Sequence, residues 1–155
     1  MLLLSTVSAR AAGPAPVRLS PEARDRFVAA LSAYRAQDWV QAARELAEIS
    51  RTASPIAEYA LLHQAESLAR LGDAVAARAA AQQAVDTAPD SRAAPPALLL
   101  AAEQASRAGD DAGAAGLWRR FLDRFPDHPQ VPRARLRMAH SLAAAGRAEI
   151  GRAHV

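Results

Sequence analysis

The sequence contains no cysteine and no lysine, and aromatic residues make up only 5% of its 155 residues. Without cysteine, the chain has no disulfide framework, no thiolate nucleophile and no cysteine-ligated zinc site. Few residues are aromatic or β-branched, and these are the types that favour strands, so an all-β fold is excluded. No apolar run approaches the ~20 residues that a membrane-spanning helix needs, and we expect no membrane span.

Alanine dominates what is present, with 42 residues, more than half of the 51% that are hydrophobic. Alanine is the best helix former, and a core of methyl groups requires elements that approach closely, which helices do better than sheets. A chain of this length fits one domain or one short repeat array. The composition predicts an all-α protein.

The charge is nearly balanced, because 19 arginines stand against 16 acidic residues and give a net charge of +3. A specific nucleic-acid-binding domain usually shows a stripe of positive charge with readable motifs. Neither is present, and we expect no nucleic-acid partner.

The N-terminal segment 1–19 is predicted to be the remainder of a secretory signal followed by a linker. A short apolar run precedes Ala9-Arg10-Ala11, which fits the small-x-small cleavage pattern, and Pro14-Ala15-Pro16 is typical of a linker. No positive charge precedes the apolar run, which is short, and a disordered tail is the alternative. The signal hypothesis predicts a periplasmic location.

The C-terminal segment 149–155 breaks the helical pattern before it. Its residues from Ile150 to Val155 resemble the translation of a common sequencing adapter, so we expect a non-native tail on a truncated chain. An ordinary frayed C-terminus is the alternative.

A repeat of fixed period runs through the rest of the chain. Gly72, Gly109 and Gly146 lie 37 residues apart, and Pro89 and Pro126 have the same separation. The same step relates Asp73 to Asp110, Asp90 to Asp127, Pro95 to Pro132, and the series Ala65, Ala102, Ala139 and Leu62, Leu99, Leu136. So many coincidences at one offset identify an internal repeat.

Each unit is predicted to be a pair of antiparallel helices. A glycine ends the first helix, the following aspartate caps the second, and a proline after the second helix stops it. The predicted units are 20–54, 55–91, 92–128 and an incomplete 129–148, whose first helix ends at Gly146. The fold class is therefore an all-α, right-handed α-solenoid of about seven helices.

These helix pairs resemble the tetratricopeptide repeat, with small residues such as Ala77 and Ala114 where two helices cross. The 37-residue period exceeds the usual 34, and the extra residues lie in the connectors after Pro89 and Pro126. The resemblance covers residues 20–148 and implies a scaffold for protein or peptide partners.

Within that family, the chain is similar to the N-terminal superhelical region of bacterial soluble lytic transglycosylases. The residues that carry this likeness are 34–39 (YRAQDW), 57–61 (AEYAL), 118–122 (WRRFL) and 125–129 (FPDHP). In that family a separate lysozyme-like domain cleaves peptidoglycan, using the glutamate of a Glu-Ser pair. The resemblance implies a periplasmic scaffold, truncated before its catalytic domain.

The chain itself is not expected to be an enzyme. Its Glu66-Ser67 pair lies inside a repeat helix, its periodic equivalent is Glu103-Gln104, and no Gly-Leu-Met-Gln motif follows. The alternative function is a stand-alone binding module of the cell envelope, associated with outer-membrane assembly or cell division. Expected partners are a protein or peptide, or the missing C-terminal domain, with peptidoglycan as a further candidate.

Candidate binding residues come from the stacking of the first helices, because the first helix of each pair lines the concave groove of such arrays. They are Tyr59, Glu66, Arg70, Glu103, Arg107, Arg133 and His140. Equivalent positions stack side by side, so Glu66, Glu103 and His140 are expected to line one surface. A solvated face without a ligand is the alternative.

The sequence offers no cofactor motif and no metal site. His63 and Glu66 lie one helical turn apart, but no further ligand cluster accompanies them, and a solvated polar face is favoured. Glu66 with Arg70 and Glu103 with Arg107 are expected to be surface pairs within one helix.

Overall fold

The computed structural model describes residues 19–52 and 55–153, and within these ranges it contains seven helices and no strand. The helices are α1 (Pro21–Arg35), α2 (Trp39–Arg51), α3 (Ala57–Arg70), α4 (Ala74–Thr87), α5 (Ala94–Arg107), α6 (Asp111–Arg124) and α7 (Val131–Ala153). The predicted all-α solenoid of about seven helices is confirmed. Most of the predicted signal segment, residues 1–18, lies outside the described residues.

The second helices begin at aspartates, as predicted. The carboxylates of Asp38, Asp73 and Asp110 each accept a hydrogen bond from the backbone N–H three residues later, at 2.9–3.0 Å. Such a cap satisfies a donor that the first turn of a helix leaves free. Gly72 and Gly109 precede two of these caps with φ of 85° and 78°. Glycine adopts this left-handed conformation without steric cost.

The first unit makes the same turn without glycine. Gln37 takes the position equivalent to Gly72 and has a φ of 62°. A residue with a Cβ is strained in this region. The backbone turn is therefore conserved between units even where the sequence is not.

Neighbouring helices pack in chain order, and α3 also contacts α5 and α1. Ala77 and Ala114 are fully buried, which confirms that small side chains lie at the helix crossings. The largest fully buried side chains include Trp118, Phe121 and Leu98. A continuous core thus runs from α3 to α7, since residues of all five helices belong to it.

Ion pairs join the second helix of one unit to the second helix of the next. Arg78 on α4 donates to Asp110, Arg120 on α6 donates to Asp86 at 2.9 Å, and Arg124 donates to Asp90 at 3.0 Å. All three connect the second and third units. Since these pairs are partly exposed, each one contributes little alone.

The predicted end of the last helix at Gly146 is wrong, because α7 continues through this glycine to Ala153. Gly72 and Gly109 are each followed by an aspartate that starts the next helix, whereas Arg147 follows Gly146. Without that cap, nothing favours leaving the helix at this point. The helical pattern therefore also continues into the segment 149–155, of which the structure describes the backbone as far as residue 153.

No helix in the described part of the chain is both long enough and apolar enough to cross a membrane.

Candidate functional site

A groove lies across the first helices α3, α5 and α7, with α6 beneath it. It consists of three adjoining cavities that share Glu103. The residues that we call the central groove are Tyr34, Glu66, Arg70, Leu99, Leu100, Glu103, Arg107, Trp118, Gln130, Arg133 and Arg137. The stacking of equivalent positions in successive units positions most of these side chains.

Five of the seven predicted binding residues line the central groove: Glu66, Arg70, Glu103, Arg107 and Arg133. Tyr59 does not line these cavities; it packs against the hydrophobic core. An aromatic ring at the start of α3 buries more apolar area there than it would in the groove.

His140 also lies apart from these cavities, so the expectation that Glu66, Glu103 and His140 line one surface stays a prediction. On the α7 side, the groove is lined by Arg133 and Arg137, and by Gln130 just before the helix begins, all of which precede His140. His140 is exposed on α7. Each cavity lies between neighbouring first helices, and in the described residues no first helix follows α7.

The two carboxylates of the groove do not pair with the arginine that lies one turn later on the same helix. Arg133 on α7 donates to Glu103 on α5 at 3.1 Å, and the expected pair of Glu103 with Arg107 does not form. The expected pair of Glu66 with Arg70 is also absent, because the Arg70 guanidinium lies 5.7 Å from the centroid of the Trp39 ring. The prediction of pairs within one helix was therefore wrong.

A polar cluster joins the first unit to one end of the groove. Glu66 accepts a hydrogen bond from the Tyr34 hydroxyl at 2.9 Å and contacts His63 Nδ1 at 2.8 Å. The Tyr34 ring also packs against Trp39 and His63, with centroids 5.3 and 5.0 Å apart. These contacts hold α1 against α3.

The cluster changes the titration of two of its members. Burial raises the pKa of Glu66, but the hydrogen bonds from His63 and Tyr34, together with the charges of His63 and Arg70, outweigh burial and leave the pKa below its usual value. Burial, followed by the charge and hydrogen bond of Glu66, raises the pKa of Tyr34 to about 12. Glu66 is thus held ionised and Tyr34 neutral at physiological pH.

Two guanidinium groups of the groove have neither a carboxylate partner nor an aromatic ring against them within the described residues. Arg107 and Arg137 are both exposed, and neither takes part in an ion pair there. With Arg70 and Arg133, they place four cations around Glu66 and Glu103. The central groove therefore carries an excess of positive charge.

Trp118 forms part of the groove, which the sequence did not indicate. Its side chain is only 2% exposed, in agreement with a core position, yet it lines two of the three cavities. Its indole Nε1–H is buried without a hydrogen-bond partner. The equivalent residue one unit earlier is Ala81, so the period gave no signal for a polar atom here.

Within the described residues, no group of three or more histidine, aspartate or glutamate side chains could hold a metal ion. His63 and Glu66 instead hydrogen-bond to each other.

The fold and the groove define the chain as an α-solenoid repeat protein. Residues 59–91 and 96–128 each match the family model described as the tetratricopeptide repeat, and the two matches begin 37 residues apart. Residues 59–91 and 96–128 are therefore two tetratricopeptide repeats, and such repeats imply a scaffold for protein interaction. No curated protein matches the chain.

Proposed function

We propose that the central groove binds an acidic segment of a protein partner. The observation that carries the proposal is the set of four arginines around the groove, three of which, Arg70, Arg107 and Arg137, have no carboxylate partner in the described residues. A guanidinium group pairs with a carboxylate through two parallel hydrogen bonds, which gives both affinity and orientation.

The floor of the groove supports the same ligand chemistry. Leu99 and Leu100 supply apolar surface, and Trp118 lines two of the three cavities. A binding site needs apolar contact area with a few convergent polar groups. A peptide with one apolar side chain flanked by aspartate or glutamate fits this site, because the apolar side chain can contact the leucines and the carboxylates can pair with the surrounding arginines.

The test is selection from a displayed library of random peptides, followed by binding of the selected peptide to variants. We expect acidic peptides, and we expect Arg107→Glu and Arg137→Glu each to weaken binding about tenfold or more. Arg119→Glu is the matched control, since Arg119 is exposed on α6 and does not line these cavities. Selection of basic peptides, or equal loss in the control, would contradict the proposal.

We also propose that this scaffold works in the periplasm as the repeat region of a peptidoglycan lytic transglycosylase, where its partner is the catalytic domain or peptidoglycan. What supports this is the resemblance of residues 34–39 and 125–129 and the long connectors after Pro89 and Pro126. A stand-alone envelope module is the alternative, because its repeats would have the same sequence pattern.

Two measurements separate these functions. Native genomic DNA beyond the codon for Glu149 should continue into a domain with Glu-Ser and Gly-Leu-Met-Gln motifs. A native stop codon soon after the codon for Glu149 would favour the stand-alone module. Fusion of the native N-terminal region to a reporter that is active only outside the cytoplasm tests the location, and an inactive reporter would exclude a periplasmic one.

A further inference from the structure

A column of three polar residues is buried on the first helices α3, α5 and α7. Ser67, Gln104 and Ser141 occupy equivalent positions 37 residues apart and are 0%, 3% and 4% exposed. Burial of a polar group costs free energy unless that group finds a hydrogen-bond partner. The partners of these three side chains therefore decide whether the column only supports the fold or also serves a ligand.

The two serines of the column find their partners within the protein. Ser67 Oγ donates to the backbone carbonyl of His63 at 2.8 Å, and Ser141 Oγ lies 3.3 Å from Ser106 Oγ. The side-chain amide of Gln104, by contrast, forms no hydrogen bond with any described residue. Of these three residues, Gln104 alone keeps a donor and an acceptor that a ligand can use.

Gln104 lines one of the three cavities of the central groove, a space of about 380 Å³ between α3 and α5. Glu66 and Glu103 also line it, and each is already bound, Glu66 to Tyr34 and Glu103 to Arg133. A carboxylate beside Gln104 would approach these two negative charges and be repelled. A neutral carboxamide avoids that repulsion, and it can donate to the Gln104 oxygen while it accepts from the Gln104 NH₂ group.

We propose that this cavity takes the side-chain carboxamide of an asparagine or glutamine in the partner segment. The inference rests on the proposed function, because Arg107, one turn after Gln104 on α5, lines the same cavity and can pair with an acidic residue next to the carboxamide. Since Gln104 is almost fully buried, a single side chain can reach it, whereas an extended backbone carries side chains on both faces and is too wide. Gln104 thus selects one neutral residue within an acidic sequence.

The test uses acidic peptides selected from the random library, labelled with fluorescein and measured by fluorescence anisotropy. One position in them should require asparagine or glutamine. Changing that residue to leucine should weaken binding to the parent chain about tenfold, because leucine leaves the Gln104 amide unpaired. The same change should have no effect on binding to Gln104→Met, because methionine keeps the length of the side chain and removes the amide.

Two controls separate a binding role of Gln104 from a structural one. Gln83→Met makes the same replacement at an exposed glutamine on α4 that does not line these cavities, and it should bind the peptide as the parent chain does. In urea denaturation, Gln104→Met should be no less stable than the parent chain, because the amide that it removes forms no hydrogen bond with the described residues.

Acidic peptides that tolerate leucine at every neutral position would overturn this inference and leave the proposed function standing. A library that yields no acidic peptide would overturn both. Equal losses of affinity in Gln104→Met and Gln83→Met, or a lower stability of Gln104→Met, would also overturn the inference. If an ester oxygen in place of one backbone N–H of the peptide removes the difference between the parent chain and Gln104→Met, the amide binds the peptide backbone, and the carboxamide proposal is wrong.

Discussion

Arg78 on α4 donates a hydrogen bond to the carboxylate of Asp110, which also accepts from the backbone N–H of Gly113 and so caps α6 in the next unit. One carboxylate therefore starts a helix and joins two units. The hydrogen bond from Arg78, then that from Gly113, lowers the pKa of Asp110.

Removal of the Asp110 carboxylate should lower the free energy of unfolding more than removal of the Asp73 carboxylate, which is the equivalent cap one unit earlier. Asp73 caps α4 but takes part in no ion pair within the described residues. We expect Asp73→Ala to lower the free energy of unfolding by about 1 kcal/mol, and Asp110→Ala to lower it further because Arg78 also loses its partner. Urea denaturation measures both, and equal losses would contradict a joining role.

The lowered pKa of Asp110 also fixes the direction of a pH effect. The stability that it contributes is present above the ordinary aspartate pKa of about 4 and is lost as the pH falls through the lower folded value. The difference in stability between the parent chain and Asp110→Asn should therefore shrink on acidification. A difference that stays constant from pH 7 to pH 2 would contradict this.

Gly113 should not tolerate a side chain. A Cβ there would lie 2.1 Å from Asp110 Oδ2 and 2.9 Å from Arg78 Nη2, so Gly113→Ala must displace the capping pair. We expect it to destabilise the chain by about 1–2 kcal/mol. Gly116 on the same helix has no atom within 4 Å of its added Cβ, and Gly116→Ala should stabilise by about 0.5–1 kcal/mol. The same sign for both substitutions in thermal denaturation would show that the Asp110–Arg78 pair leaves room for a Cβ at this position.

Replacement of Gln37 by glycine should stabilise the first unit. The left-handed conformation costs a residue with a Cβ roughly 1–2 kcal/mol, and the greater chain entropy of glycine offsets part of that gain. We expect a net gain of about 0.5–1 kcal/mol in the free energy of unfolding. The reciprocal substitution Gly109→Ala should destabilise the chain by a similar amount. Equal signs for the change in the free energy of unfolding in the two variants would contradict the prediction.

Tyr34 should ionise only in strongly alkaline solution. Its pKa of about 12 means that the stability from the neutral hydroxyl is complete below the ordinary value of 10 and is lost as the pH rises through 12. In a Tyr59→Phe variant, Tyr34 is the remaining tyrosine, and its phenolate absorbance can be followed directly. Adding Glu66→Gln should lower the midpoint towards 10. Identical midpoints near 10 in both variants would exclude the hydrogen bond to Glu66.

The period of 37 residues was sufficient to predict the helix pairs, their aspartate caps and five residues of the central groove. It was sufficient because solenoid units contact mainly their neighbours, so a local pattern determines the packing. The partners of the charged side chains were harder to predict from the sequence. Glu103 can reach both Arg107 and Arg133, and only the packed structure decides between a neighbour in the same helix and one in the next unit. Tyr34 lies in the divergent first unit, and its equivalent in the second unit is Ala69, so the repeat gave no signal for a hydroxyl group there.

The joints between units differ in the kind of bond that holds them. Three arginine–carboxylate pairs join the second unit to the third, and they are partly exposed to solvent. The neutral hydroxyl of Tyr34 bound to Glu66 joins the first unit to the second. Added salt screens the charged joint more than the other, because exposed ion pairs respond most strongly to ionic strength. The pair of Arg133 and Glu103, which joins α7 to the third unit, is also partly exposed. Added salt therefore weakens ion pairs on both sides of the third unit, and a partner that spans α3, α5 and α7 binds across both contacts.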